Sequence, residues 1–322
     1  MVDTEFVEKY AAMEQPESAA IVGGGYVGVE MAEAFSAHDL DVHLFQRPDH
    51  VLPPFGTAVG QRVADHLEAR GVTLHLGTEV SELRGSDGLD GIAYGDQILP
   101  VNAAVVGVGI RPNTDLLDGT SIELGDSGAI AIDEYGRTSE EHVYAAGDCA
   151  EMRHVVTDES AWVPLGLTAN RAGRAIGQTV GGNPTRVGTI AGTAVVKAFD
   201  LECGRTGLVG EEEARDAGFD PVSETITTSS RSGYYPGGDE TTVTLTADRE
   251  TGRLLGGSIV GRDRAAIRID TLATALEGGL TVSEVERLDL AYAPPFSPVW
   301  DPVLTAAKVL NGRLSDTDNE VE

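Results

Sequence analysis

Lysine is nearly missing from this chain. It occurs only at Lys9, Lys197 and Lys308, and Lys and Arg together number 23 against 52 Asp and Glu, for a formal net charge of −29. Without a basic stripe there is no electrostatic footprint for nucleic acid, which is excluded as a partner. The acids are spread along the chain and do not point to one docking face. Such a surface stays soluble in concentrated salt, where its self-repulsion is screened, and a halophile's protein is expected. Cysteine is equally scarce. Cys149 and Cys203 are too few for a disulfide framework and too far apart for a zinc spacing, so no metal site is expected. No apolar run is long enough to span a bilayer, so no membrane partner is expected. Residues 1–15 are charged and lack the apolar centre of a signal peptide, which makes the cytoplasm the expected compartment. No segment repeats. At 322 residues the chain has ample core for two or three domains.

Glycine, by contrast, is abundant, and one stretch organises the rest. Ala19-Ala20-Ile21-Val22 predicts a buried strand, Gly23-Gly24-Gly25 a turn, and Tyr26-Val27-Gly28-Val29-Glu30 the first turn of a helix. Gly23, Gly25 and Gly28 fit G-x-G-x-x-G: a sharp turn, a close approach of backbone to a pyrophosphate, and close helix–strand packing. The N–H groups and dipole of the helix start favour phosphate charge. The bland alternative is a structural glycine turn. Tyr26 has two readings, an amphipathic residue at a helix start or a ring covering a cofactor face. A second strand follows at Asp41-Val42-His43-Leu44-Phe45. An acid at its end holds the ribose 2′-OH of NAD in this motif. Here Gln46-Arg47 stand instead. The planar fork of Arg47 suits a 2′-phosphate and favours NADPH over NADH. The alternative is a solvated loop arginine, with Gln46 bonding the ribose.

Further along, 61–69 predicts a helix, 72–76 a strand and 79–99 a small antiparallel meander. Ala103 to Gly109 is apolar throughout, as in a parallel strand covered on both faces. Gly109 at its carboxyl end leaves room for a ligand, and open α/β sheets bind ligands at such ends. Strands are expected at 129–133 and 143–146, the latter running into Gly147-Asp148. A carboxylate there, uncrowded by its glycine neighbour, is a good acceptor for sugar-alcohol hydroxyls. The alternative is a turn aspartate capping the next segment. Pro164-Leu165-Gly166-Leu167-Thr168-Ala169-Asn170 opens a helix to about Val180, whose first amides suit an electron-rich ring edge. From residue 188 alternating strands at 193–197, 241–247 and 254–260 predict an antiparallel sheet, with helices at 211–217, 265–277 and 302–310.

These pieces resemble, in this order, the flavin-dependent pyridine nucleotide–disulfide oxidoreductases, in the coenzyme A-disulfide reductase/NADH oxidase branch. Residues 23–30 look like the NAD(P)H motif, Val108-Gly109-Ile110-Arg111-Pro112-Asn113 like the strand end near the nicotinamide, and Thr138 with Val143 to Asp148 like the second FAD motif. Gly192-Thr193-Ala194, Phe199-Asp200-Leu201, Arg205 to Leu208, Tyr234-Tyr235-Pro236-Gly237 and Ala291 to Ser297 resemble its dimerisation domain. The resemblance implies an α/β fold: a linker helix over 1–18, a Rossmann-like NAD(P)-binding domain over 19–122, the C-terminal half of an FAD-binding domain over 123–185, an α+β dimerisation domain over 186–313 and an acidic tail over 314–322. It implies FAD and NADPH or NADH as cofactors, a homodimer, and a disulfide such as a coenzyme A disulfide, or oxygen, as electron acceptor. Asp148 then holds the flavin ribityl chain, and Leu165, Gly166, Thr168 and Ala169 sit at the pyrimidine edge. Glu30 and Tyr26 lie between nicotinamide and flavin. Tyr234 or Tyr235 and Tyr292 reach the partner subunit's substrate site, or else pack the dimer interface.

One departure stands out. Family members begin with their own FAD-binding G-x-G-x-x-G and a redox-active cysteine, and neither is in this sequence. Cys149 and Cys203 are expected to be small buried residues. The chain is therefore expected to be a truncated product or a fragment. Two readings follow: an FAD-dependent NAD(P)H oxidoreductase, or a non-catalytic NAD(P)-binding and dimerisation module, such as one chain of a split enzyme.

Overall fold

The computed structural model describes residues 17–86 and 88–319; the expected linker helix lies outside them, apart from its last two residues. The described chain forms two compact units. The first runs through Gly109 and includes Val196–Cys203; the second holds Ile110–Val195 and the chain from Gly204 onward.

The first unit is an alternating β/α run: β1 (Ser18–Val22), α1 (Tyr26–Ser36), β2 (Asp41–Gln46), α2 (Thr57–Ala69) and β3 (Thr73–Leu76). It continues with β4 (Val80–Arg84), β5 (Gly91–Tyr94), β6 (Gln97–Leu99) and β7 (Ala103–Val106). The sheet is ordered β3-β2-β1-β7 and every pair is parallel. Val22 pairs with both Phe45 and Val106, so three strands end at one level. Ala19, Ala20 and Ile21 are fully buried, the small residues leaving room for a helix on the sheet. Helix α1 buries Gly28, Val29, Ala32 and Phe35, and α2 buries Val59, Val63 and Leu67, each a stripe at helical spacing. The meander β4-β5-β6 packs through Ile92 against Ala20, Phe45 and Val101. Strand β7 departs from expectation. Its apolar run suggested cover on both faces, yet it is the edge strand of the sheet and Val106 is 56% exposed.

The first part of the second unit has little regular structure. The strands expected at 129–133 and 143–146 are reduced to isolated bridges at Ile130 and Tyr144. A strand needs a continuous ladder, and the backbone hydrogen bonds of these segments go to scattered partners (Ile130 to Cys149, Ala131 to Glu123, Asp133 to Arg137, Ala145 to Gly136) and build none. A short pair, β8 (Met152–Arg153) with β9 (Ser160–Ala161), precedes α3 (Gly166–Val180).

The antiparallel part follows: β10 (Ala194–Ala198), β11 (Leu201–Gly207), α4 (Glu211–Asp216), β12 (Pro221–Ser229), β13 (Glu240–Asp248) and β14 (Leu254–Gly261). After them come α5 (Ile269–Glu277), α6 (Val282–Glu286) and α7 (Pro302–Asn319). The sheet order is β10-β11-β14-β13-β12. Leu245, Leu255, Ile259, Leu272, Ala306 and Leu310 share one buried cluster under α5 and α7. Helix α7 runs to Asn319, through residues where a tail was expected. Side chains past Leu310 fasten it: Arg313 Nη1 donates to the Ser223 carbonyl (2.8 Å) and Glu224 (2.9 Å), and Asn311 donates to Glu286 (2.8 Å).

Candidate functional site

The glycine loop lies between β1 and α1, at the aligned carboxyl ends of the parallel strands. Gly23 takes φ +109°, and a Cβ there would sit 2.3 Å from the Gly107 carbonyl oxygen. A Cβ on Gly28 would sit 1.9 Å from the Gly23 carbonyl oxygen, so glycine at 28 is what brings α1 down onto the loop. Gly25 differs. Its φ is −82°, open to any residue, and a Cβ there meets nothing within 4 Å. Gly25 is the N-cap of α1, and no side chain caps the helix. The loop is held from behind: Gly23 N–H donates to Phe45 O (2.8 Å), Leu52 N–H to Gly24 O (2.8 Å) and Gly24 N–H to Gln46 Oε1 (2.9 Å). Gln46 thus braces the loop through the oxygen that the sequence reading offered to a ribose. The Tyr26 ring packs edge-on against Phe55, centroids 5.3 Å apart. Val27 and Glu30 are exposed on the first turns of α1. Arg47, one residue past β2, has a 74% exposed side chain, 4.0 Å from Glu79. Gly109 is exposed at φ +113°, with nothing near its Cβ position.

A second group forms in the other unit. Gly147 has φ +89°, and a Cβ on it would lie 3.7 Å from the Ala169 Cβ, so the Gly147-Asp148 turn stands beside the first turn of α3. Leu165 is the N-cap of α3, again with no side-chain cap, and nothing stands near the Cβ position of Gly166. Thr168 and Ala169 are half-buried in that turn. Among the described residues the exposed Asp148 carboxylate caps no segment and forms no ion pair; only its carbonyl is engaged, by Trp162 Nε1 at 2.8 Å. Two turns expected to serve one ligand are therefore adjacent.

The third group is aromatic. Tyr234 and Tyr292, 58 residues apart, meet with their hydroxyls 3.3 Å apart. That hydrogen bond holds the Tyr234 phenol above its ordinary pKa, because losing its proton breaks the pair. Tyr235, next in the sequence, does not join the pair; its N–H closes a turn onto Ser232 O (2.8 Å). Sequence reasoning missed Arg268, which bonds to the carbonyls of Ser230 and Phe296 in the two loops that carry this pair and has no motif that would announce it.

Of the two cysteines, Cys149 directly follows Asp148 in the second group, and Cys203 lies in β11. Cys149 is half-buried, its thiol against Ala146 O at 3.5 Å. Cys203 is buried, and burial pushes its thiol up to about 12. Iodoacetamide at pH 8 is therefore expected to leave Cys203 unmodified in the folded protein and to alkylate it in urea, as read by peptide mass; modification of the folded chain at a rate near that of a free thiol contradicts this.

The sequence profile of the pyridine nucleotide-disulphide oxidoreductase family matches residues 4–170, and that of its dimerisation domain residues 193–302. An NAD(P)H coenzyme A polysulfide/persulfide reductase of Pyrococcus horikoshii is 40% identical over 309 residues, covering 95% of this chain and 67% of that protein. A coenzyme A disulfide reductase of Staphylococcus aureus is 28% identical over 297 residues, 92% of this chain and 66% of its own length. The solved structure of an NAD-dependent persulfide reductase from A. fulgidus superposes with a TM-score of 0.93 at 34% identity, over 98% of this chain and 59% of that one. The chain spans only part of the length of each.

Proposed function

The chain belongs to the pyridine nucleotide-disulphide oxidoreductase family, in the branch of coenzyme A-disulfide reductases and NADH oxidases, and from that premise we propose that it works in an FAD-dependent NAD(P)H oxidoreductase acting on a coenzyme A disulfide or persulfide. The observation that carries the reading is the open ground before Gly25. The backbone needs glycine at 23 and 28 for its own packing, but at 25 glycine serves nothing inside the protein. A pyrophosphate on the uncapped start of α1 gives that residue its reason. Around it, Tyr26, Val27 and Glu30 line the first turn of the helix, Gly109 leaves the end of the β7 segment open, and Arg47 offers a guanidinium to a ribose 2′-phosphate.

The Asp148 turn and the start of α3 fit the ribityl chain and pyrimidine edge of FAD. The fit rests on the Asp148 carboxylate, in no ion pair among the described residues, and on the 3.7 Å that would separate a Cβ on Gly147 from the Ala169 Cβ. When bound, FAD supplies the two-electron chemistry between nicotinamide and a sulfur–sulfur bond. The protein's share is to hold: Asp148 accepts hydroxyl hydrogen bonds, and the backbone of Leu165, Gly166 and Thr168 presents N–H groups to a ring edge, with Ala169, whose own N–H is bonded to Leu165 O (3.0 Å), beside them. Tyr234 and Tyr292 bring paired hydroxyls to the acceptor, and the homodimer forms through the C-terminal domain, a reading supported by the profile match over residues 193–302.

The test is to purify the protein in concentrated salt and record its visible spectrum and NAD(P)H oxidation with coenzyme A disulfide. Flavin absorbance with turnover supports the enzyme. A colourless protein that still binds NAD(P)H shifts the reading to a nucleotide-binding and dimerising module or one chain of a split enzyme. For Arg47, replacement by alanine is expected to weaken NADPH binding about tenfold and leave NADH binding unchanged, in fluorescence titrations at fixed salt. Equal NADPH affinity in both proteins removes the 2′-phosphate role.

A further inference from the structure

Two loops carry Tyr234 and Tyr292, and neither has a strand or helix to hold it. The first leaves β12 at Ser230; the second runs from α6 to α7 through Phe296. One side chain from the turn before α5 bonds to both of them. Arg268 is 9% exposed, and every N–H of its guanidinium is used. Nε donates to Asp301 Oδ2 (3.0 Å), Nη1 to the carbonyls of Asp263 (2.9 Å) and Arg264 (3.0 Å), and Nη2 to the carbonyls of Ser230 (3.1 Å) and Phe296 (3.1 Å). Ser230 and Phe296 each stand four residues from a tyrosine of the pair, so one nitrogen ties both loops at their roots. Asp301 in turn accepts from Ser297 Oγ (3.0 Å) and caps α7 through the Val303 N–H (2.9 Å).

We propose that Arg268 is a positioning residue for the acceptor site: it sets the two tyrosine loops in register so that the Tyr234 and Tyr292 hydroxyls meet and face a disulfide together. This rests on the reading that the tyrosines serve the acceptor. A planar fork with five fixed donors suits the task, and a lysine, with three donors on one point charge, cannot reach carbonyls on both sides. The cation has the Asp301 carboxylate to neutralise it, so a merely structural need is met by charge alone, whereas the register needs the geometry.

The test uses the holoenzyme with Arg268→Lys, Tyr234→Phe and the double variant. The KM for coenzyme A disulfide is expected to rise about tenfold in Arg268→Lys while the KM for NAD(P)H is unchanged. Tyr234→Phe, costly alone, is expected to add nothing in the Arg268→Lys background, since the two changes break one arrangement. The second readout is ultraviolet phenol titration. The high-pH component that disappears in Tyr234→Phe is expected to fall toward the ordinary tyrosine range in Arg268→Lys. An unmoved phenol component with an unchanged disulfide KM overturns the proposal, whatever happens to thermal stability. If the phenol component moves but neither Arg268→Lys nor Tyr234→Phe affects disulfide turnover, Arg268 holds the pair and the assignment of the pair to the acceptor is what fails. Should Arg268→Lys not fold, Asp301→Asn, which removes the acceptor of the Nε bond and of the Ser297 Oγ bond made to the same oxygen, is expected to move both readouts in the same direction by less; no movement in either overturns the proposal.

Discussion

Gly25→Ala is expected to leave melting temperature close to that of the parent and to weaken NAD(P)H binding about tenfold or more, whereas Gly28→Ala is expected to lose both. The two residues stand three apart in the same loop and differ in what surrounds them. At Gly25, φ is −82° and the Cβ position is empty, so alanine fits the folded chain. The change at an N-cap costs about 1 kcal/mol, since alanine is a poorer cap than glycine. What the methyl group would occupy is the space of the proposed pyrophosphate. At Gly28 the new Cβ would sit 1.9 Å from the Gly23 carbonyl oxygen, and that oxygen belongs to backbone pinned by Phe45. Helix and strand must part, which costs about 1–3 kcal/mol or more as overpacking. Gly23→Ala should resemble Gly28→Ala and be worse, because the methyl meets Gly107 O at 2.3 Å and the backbone stands at φ +109°. Circular dichroism melts and NADH fluorescence titrations separate the two effects. A Gly25→Ala protein that binds NAD(P)H as tightly as the parent means the loop does not hold a dinucleotide.

That contrast marks where sequence reasoning reaches and where it stops. The glycine spacing and the apolar runs beside it are local, so β1, α1 and the loop between them were legible, as was the meander before β7. The spacing could not say that Gly25 alone faces open space, because its neighbours come from elsewhere in the chain. Gln46 shows the same limit: as a residue beside a ribose position it was ambiguous, and only the fold reveals its oxygen on the Gly24 amide. Residues 129–133 and 143–146 have strand composition, but composition does not supply a ladder, and the structure gives each one bridge position. Thr281 and Glu284 form a capping box that starts α6, a signal present in the sequence at the right spacing and overlooked because the helix behind it is so short. The tyrosine pair was placed by resemblance; that the two hydroxyls meet is a fact of long-range folding. Arg268 was invisible for a deeper reason. A buried arginine that serves three segments looks, in sequence, like any surface arginine on an amphipathic helix.

His154 is expected to make folding stability fall by up to about 3 kcal/mol as pH drops from 6.5 toward 4. Its imidazole is 7% exposed, and Nδ1 accepts from the N–H groups of Val156 (3.3 Å) and Thr157 (3.4 Å), which fixes that nitrogen as unprotonated. Burial and then the Arg205 guanidinium push its pKa down to about 4 from 6.5, with a lesser push from Arg253, against the opposing hydrogen bond to the Ala191 backbone. The direction follows from proton counting. In the unfolded chain the ring takes up a proton near pH 6.5, and in the folded chain only near 4. Between those values the unfolded state binds more protons, so stability is fully present above 6.5 and drains away as the solution is acidified. Carboxylates also titrate in acid, but mostly below about pH 5, and the upper part of the window belongs to the imidazole. The measurement is urea unfolding of the parent and of His154→Gln in concentrated salt, which screens the change in net charge common to both. The parent should lose stability between pH 6.5 and about 5, and the glutamine variant, less stable at neutral pH, should show a flatter line over that interval. Parallel lines would mean that the ring is protonated as readily in the folded protein as out of it, and that the two amides and two guanidinium groups around His154 do not keep it neutral.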